Sequence, residues 1–151
     1  MARSKKIAVS ARPDGEMGIF AIRDVAENEI LITYDGPVTD HATRHSIQID
    51  DDKHIEGTEN SNAFLNHSCD PTAYVDWNGP SLRARRVLLS GEEITCNYFT
   101  TDYDLCEKFT CKCGSPRCKV EIRGFKYLTR EEQLELEPWL PTFLKRKLRD
   151  G

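Results

Sequence analysis

Three cysteines within eight residues, Cys111-Lys112-Cys113-Gly114-Ser115-Pro116-Arg117-Cys118, constrain this chain more than any other feature. Gly114, Ser115 and Pro116 turn the segment back on itself and gather the thiols. A structural zinc site takes four thiolate or imidazole ligands, so three thiolates leave one corner empty. Cys69, which stands 42 residues ahead of the cluster, is a candidate for that corner, as are Cys96, Cys106 and the four histidines. Lys112, Arg117 and Lys119 favour thiolate over thiol. Three free cysteines crowded into a Gly-Pro turn would be an odd core, and a reducing compartment disfavours a disulfide. Spacing therefore points to zinc and leaves the fourth ligand open.

The compartment follows from what is missing. Met1-Ala2-Arg3-Ser4-Lys5-Lys6 is basic, but only Ile7-Ala8-Val9 follows, too short for a signal-peptide core. No apolar run approaches the ~20 residues that cross a bilayer. The expectation is an intracellular protein of cytoplasm or nucleus, without membrane contact. A net charge of −4 suits a basic protein or peptide partner and argues against direct nucleic-acid binding. Nothing in the sequence sets the oligomeric state.

The body reads as many short strands. Lys6 to Ser10, Met17 to Ile22, Glu29 to Tyr34, Ser46 to Asp50 and Glu92 to Tyr98 alternate or are β-prone. Ala73–Trp77 and Ser81–Val87 form a hairpin across Asn78-Gly79-Pro80. Residues 38–45 read as loop, and Asp50-Asp51-Asp52-Lys53 as a solvated turn. Two segments echo each other: Arg23-Asp24-Val25 leads by a turn to Glu29-Ile30, and Arg86-Val87 leads by a turn to Glu93-Ile94, each strand ending in a tyrosine, Tyr34 or Tyr98. Only the tail is helical, starting at Thr129 with Glu131 and Glu132 behind it. Its apolar series through Phe143 and Leu148 suits a flap on the body, and Lys145-Arg146-Lys147 reads as a solvated helix end. Between the strands lies a polar knot, Asn66-His67-Ser68-Cys69-Asp70-Pro71, flanked by apolar residues. A backbone held this way meets a ligand, a metal or another piece of chain.

Taken in order, these motifs resemble the SET-domain protein lysine methyltransferases. Met17-Gly18-Ile19-Phe20-Ala21 is similar to the family's glycine motif, and Tyr34-Asp35-Gly36 to its Tyr-x-Gly. Phe64-Leu65-Asn66-His67-Ser68-Cys69-Asp70-Pro71 is similar to its most diagnostic string. Gly91-Glu92-Glu93-Ile94-Thr95-Cys96-Asn97-Tyr98 matches the segment that ends in the catalytic tyrosine, and Cys111 to Cys118 the post-SET zinc element. The likeness spans about residues 6 to 125.

The resemblance implies a mainly β (α+β) fold, a β-clip of several small sheets with a knot-like C-terminal substructure and a short helical tail. It implies a SET domain over 1–105, a post-SET zinc element over 106–122 and a helical flap over 123–151. It also implies methyl transfer from S-adenosylmethionine to a lysine ε-amine in a protein substrate, histone or another basic protein. Tyr98 and Tyr34 would be catalytic. Met17, Gly18, Asn66, His67 and Phe109 would hold the cofactor, and Cys69 would join Cys111, Cys113 and Cys118 on zinc. Three departures stand out. Glu16 takes the place of a second motif glycine, and Ala63 that of an arginine. Cys96 replaces the Phe or Tyr that limits how many methyl groups fit, so a roomier site and di- or trimethylation are expected. A second reading is a catalytically weak SET-fold module that binds protein or peptide.

Overall fold

The computed structural model describes residues 6–41, 46–56, 64–105, 108–116 and 118–150. Twelve short strands form four small sheets among them. The strands are β1 (Ile7–Ala11), β2 (Met17–Ala21), β3 (Ile30–Thr33), β4 (Val38–Thr39), β5 (Ser46–Asp50) and β6 (Lys53–Glu56). They continue with β7 (Asn66–His67), β8 (Ala73–Asp76), β9 (Ser81–Ala84), β10 (Glu93–Cys96), β11 (Phe109–Thr110) and β12 (Glu121–Ile122). The sheets run β1-β2-β10-β7, β3-β9-β8, β4-β6-β5 and β11-β12.

The first sheet positions the site. β1 and β2 form a hairpin whose turn closes through Arg12 and Glu16. β10 pairs antiparallel with β2, setting Ile94 opposite Ile19. On its other side β10 runs parallel to β7, with Thr95 opposite Asn66 and Cys96 opposite His67. Glycine strand, central string and tyrosine-bearing segment thus share one sheet. Alternation along β10 buries Ile94 and Cys96 and turns Glu93 and Thr95 the other way. Ile19, Ala73, Leu82, Leu88 and Ile94 lie at the centre of the core, sealed from solvent.

The sequence echo is a structural repeat, in a register one residue off the Glu-Ile match. Arg23 reaches Glu29 at 2.9 Å, and Arg86 reaches Glu92 at 3.0 Å. Glu29 accepts from the Ala26 amide, and Glu92 from the Leu89 amide. The equivalent of Glu29 is therefore Glu92, not Glu93. The two copies touch, exchanging both backbone hydrogen bonds between Val25 and Leu88 at 2.8 and 2.9 Å.

Several boundaries differ from expectation. Val38–Thr39 is a strand because β6 offers it an edge at Ile55 and His54. Residues 42–45 lie outside the described chain, as do Gly57, Ala63, Cys106 and Arg117. β9 ends at Ala84, not Val87, where the Arg85 amide turns to the Thr72 carbonyl. β10 ends at Cys96, and Tyr98 begins a 3-10 turn capped by Asn97.

The tail is helical as expected. α1 (Arg130–Glu135) starts in a Thr129–Glu132 capping box, and α2 (Thr142–Asp150) follows Pro141. Phe125, Leu140, Phe143, Leu144 and Leu148 make a core of their own. The basic stretch is not a solvated end: Arg146 pairs with Asp50 at 3.0 Å and Lys147 with Asp51 at 2.6 Å. Neither is the acidic turn freely solvated, because the flap docks on it. No helix among the described residues is long and apolar enough to cross a membrane.

Candidate functional site

The polar junction begins where β2, β10 and β7 meet. Asn66 donates from Nδ2 to the Met17 carbonyl and to Glu93 Oε2, each at 3.0 Å. Arg12 binds the other Glu93 oxygen at 3.2 Å. Gly18 leaves room for this junction: a Cβ would sit 2.7 Å from Glu93 Oε2 and 3.1 Å from Asn66 Nδ2, and both side chains would have to shift. Glu93 and Arg12 were not foreseen as site residues. The alternation of β10 marks Glu93 as polar-facing, but nothing in the spacing joins it to Arg12. Arg12 supplies a guanidinium to the junction although Ala63 occupies the family's arginine position. Glu16 is exposed in the hairpin turn, its amide on Asp14 and its carbonyl on Arg12.

His67 is the pivot of the site. Its Nδ1 accepts from the Tyr98 amide at 3.0 Å, and its Nε2 faces Cys69 Sγ at 3.3 Å. Burial holds its pKa down at about 4, so the ring is neutral at pH 7. With Nδ1 accepting, the ring proton sits on Nε2 and points at the sulfur. The ring of His67 joins tyrosine to thiol. Its ring packs against Tyr98, Phe99 and Phe109 with centroids 5.3 to 5.9 Å apart. The Tyr98 hydroxyl donates to the Leu65 carbonyl. Met17 (42% exposed), Asn66, Tyr98 and Phe109 (37% exposed) remain open along one edge, with Gly18 and His67 buried behind them.

The thiols of Cys69, Cys111, Cys113 and Cys118 all lie within 4.8 Å of one another. Tetrahedral Zn–S bonds of about 2.3 Å set sulfurs about 3.8 Å apart, so a small contraction suits this group to the ion. Burial pushes Cys69 up to about 11 and Cys111 up to about 12. Burial raises Cys113 too, but hydrogen bonds from the Ser115 and Cys69 amides and neighbouring thiols bring it down to about 6. Four thiolates do not coexist here unaided; a bound dication is what would hold them ionised. The Lys119 amide donates to Cys69 Sγ at 3.3 Å, clasping the C-terminal segment over the central string. Cys96 lies in the main core, away from this group.

Tyr34 and Cys96, each 2% exposed, belong to the core behind Tyr98. Burial raises the Tyr34 phenol well above its ordinary range, and charge on Cys96, Tyr98 or Asp102 would raise it further. Gly36 of the same motif lets the chain pass β6, since a Cβ there would meet the Glu56 carbonyl at 2.5 Å. Asp102, another unforeseen neighbour, is buried with Oδ2 on Thr101 Oγ1 at 2.9 Å, and burial pushes its carboxyl up to about 7. An unfolded aspartate ionises near 3.9, so folding favours the proton, and stability is lost as pH rises from about 4 through about 7. Asp102→Asn removes that loss and keeps an acceptor for Thr101. In urea unfolding, its advantage over wild type should widen by about 1 kcal/mol between pH 6 and pH 8, then level off.

A separate cavity of about 520 Å³ opens between the thiol group and the flap, lined in part by Cys69, Tyr74, Phe99 and Trp139. None of Met17, Gly18, Asn66, His67 or Phe109 lines it.

Small sheets thus meet at a glycine–asparagine–tyrosine junction and are clasped by four thiols. The architecture matches the crystal structure of KRYPTONITE in complex with mCHG DNA and SAH, with a TM-score of 0.62 at 18% identity over 76% of this chain and 28% of that one. The chain belongs to the SET domain family, whose model matches residues 16–99. It is 33% identical over 135 residues to the H3 lysine-36 specific histone-lysine N-methyltransferase of Candida albicans, covering 74% of this chain and 16% of that protein. It is also 33% identical over 124 residues to the histone-lysine N-methyltransferase trithorax of Drosophila virilis, covering 68% of this chain and 3% of that protein. The chain thus spans a sixth or less of the length of these relatives.

Proposed function

We propose that this chain transfers methyl groups from S-adenosylmethionine to lysine ε-amines of a basic, intracellular protein substrate such as a histone. Two of its curated relatives are named histone-lysine methyltransferases, and an acidic body suits a lysine-rich partner. The observation that carries the reading is the state of Tyr98. Its hydroxyl proton is committed to the Leu65 carbonyl and its amide to His67, so its oxygen can meet an incoming group only as an acceptor.

When bound, S-adenosylmethionine supplies an electrophilic methyl on a sulfonium. Met17, Gly18, Asn66 and Phe109 would hold it along the open edge, with His67 setting that edge from behind. Cys69, Cys111, Cys113 and Cys118 would hold a structural zinc. The 1–105 body would carry the chemistry, 106–122 the metal, and 123–151 would act as a flap. The acceptor lysine must arrive neutral; its pKa of about 10.4 falls on desolvation, because burial disfavours the ammonium. Tyr98 Oη would accept from the amine and from the polarised methyl, aligning them without a strong base. Tyr34, kept protonated by burial, would back the opposite wall.

Calorimetry with S-adenosylhomocysteine tests the cofactor assignment. Wild type should bind it, and Asn66→Ala should weaken binding about tenfold or more by freeing Glu93 and the Met17 carbonyl. No heat from wild type would favour a binding module without turnover. Product chemistry tests Cys96. Wild type should yield di- or trimethyl lysine by mass spectrometry, and Cys96→Tyr should shift product to monomethyl lysine. Because Cys96 is buried, that variant should also lose about 1–3 kcal/mol of stability through overpacking. Monomethyl product alone from both proteins would contradict the assignment.

A further inference from the structure

The net charge of −4 conceals a segregated distribution. Residues 108–126 hold six cations, Lys108, Lys112, Arg117, Lys119, Arg123 and Lys126, against one carboxylate, Glu121. Three of the six have a local reason: Lys112, Arg117 and Lys119 flank the thiols, and Lys119 also pairs with Glu132 at 2.7 Å. The other three gather elsewhere. Lys108, Arg123 and Lys126 crowd one ring, Tyr127, at 5.5, 5.1 and 5.6 Å from its centroid.

The ring attracts each of them, but the grouping also brings like charges together. Lys108 and Arg123 flank the β11–β12 ladder at corresponding ends, where like charges repel. Asp104 answers Lys108 at 3.0 Å. Asp104 belongs to this face, its carboxyl held below the ordinary range by Lys108 first and also by Tyr127 and Lys126, while among the described residues no carboxylate forms an ion pair with Arg123 or Lys126. Tyr127 is 43% exposed, and all three cations are exposed around it. The rest of the chain is net acidic, and this exposed group of cations suits an anion. A single small anion would leave several cations unused, whereas a repeating phosphate chain can engage them together.

We propose that the Tyr127 face, with Lys108, Arg123 and Lys126, binds the phosphate backbone of nucleic acid without reading sequence. The site is separate from the Tyr98 junction and does not depend on the methyl-transfer reading. It reverses the expectation of no direct nucleic-acid contact drawn from total charge.

The test is fluorescence anisotropy of a labelled 20-base-pair duplex with the zinc-loaded full chain, without cofactor, at several salt concentrations. Three released counterions give a slope of about −2.7, or roughly a 40-fold loss of affinity between 50 and 200 mM salt. Lys108→Ala/Arg123→Ala/Lys126→Ala should weaken binding at least tenfold at 50 mM and flatten the slope. Its zinc content and thermal midpoint should match wild type. Lys126→Gln alone, at an exposed position, should reduce the slope by about one and guards against misfolding of the triple variant. A duplex that does not bind at 50 mM salt, or binds the triple variant equally well, would overturn the proposal. So would binding of anionic-lipid vesicles or of a phosphorylated peptide in place of the duplex.

Discussion

Tyr98→Phe is expected to lower the rate of methyl transfer by about 100-fold or more while the protein keeps its fold and its metal. The substitution removes one oxygen and nothing else. The amide that His67 accepts is backbone and survives, and the ring contacts with His67 and Phe109 remain. Loss of the hydrogen bond to the Leu65 carbonyl costs about 1 kcal/mol of stability. Catalysis should suffer more, because an acceptor aimed at the reacting centre acts where charge is changing; removing one such group costs about 2.7–4 kcal/mol in comparable sites. The defect should fall on kcat with the KM for peptide little changed, the pattern of a contact made chiefly in the transition state. Steady-state kinetics checks this, with S-adenosylhomocysteine affinity as the control for intact binding. A variant that retains full kcat would remove Tyr98 from the chemistry.

Cys69→Ser is expected to have the second large effect, and a double one. A structural zinc site contributes folding energy outright, so loss of one of four ligands should cost several kcal/mol. For a chain of this size that lowers the thermal midpoint by about 10 °C or more. Zinc content should fall from one per chain towards none. The same sulfur receives the His67 Nε2–H and the Lys119 amide. Its loss therefore loosens the imidazole that holds Tyr98 and the clasp of the C-terminal segment in one step. Methyl transfer should drop together with the metal, and a chelator should add little further damage to the variant. Cys96→Ser is the contrast, since Cys96 stands in the core and should leave zinc content unchanged. Full zinc loading in Cys69→Ser would contradict the assignment of the fourth ligand.

Much of this arrangement was legible in the sequence, for a physical reason. Thiol spacing, strand alternation and turn residues are local signals, and each maps onto a local structure: the Cys111–Cys118 turn, the alternation of β10, the Thr129 capping box. The fourth thiol could be named only through the family likeness, because nothing local joins Cys69 to a cluster 42 residues on. What stayed hidden was set by distant approach. Arg12 meets Glu93, and Gln48 accepts the Tyr103 amide, through the fold and not through any period. His67 was given a role but not a ring direction; its buried ring is fixed by the Tyr98 amide on Nδ1 and Cys69 Sγ on Nε2. The sequence echo was real but one residue out of register, since the Glu-Ile match competed with the capping role that Glu29 and Glu92 share. Asp102 left no signal, being one carboxylate in a run of polar residues that only the packed interior distinguishes.

We propose that Tyr98, held by His67 beside the four-thiol group, works on a lysine amine. The direct measurement is transfer of radiolabelled methyl from S-adenosylmethionine to a panel of histones and other basic proteins, followed by mass spectrometry of the labelled residue. The zinc-loaded chain should label lysine ε-amines, and Tyr98→Phe, with the same zinc content, should label them at least about 100-fold more slowly. Label on another side chain, label undiminished in Tyr98→Phe, or no transfer to any basic protein from folded, zinc-loaded chain would contradict it.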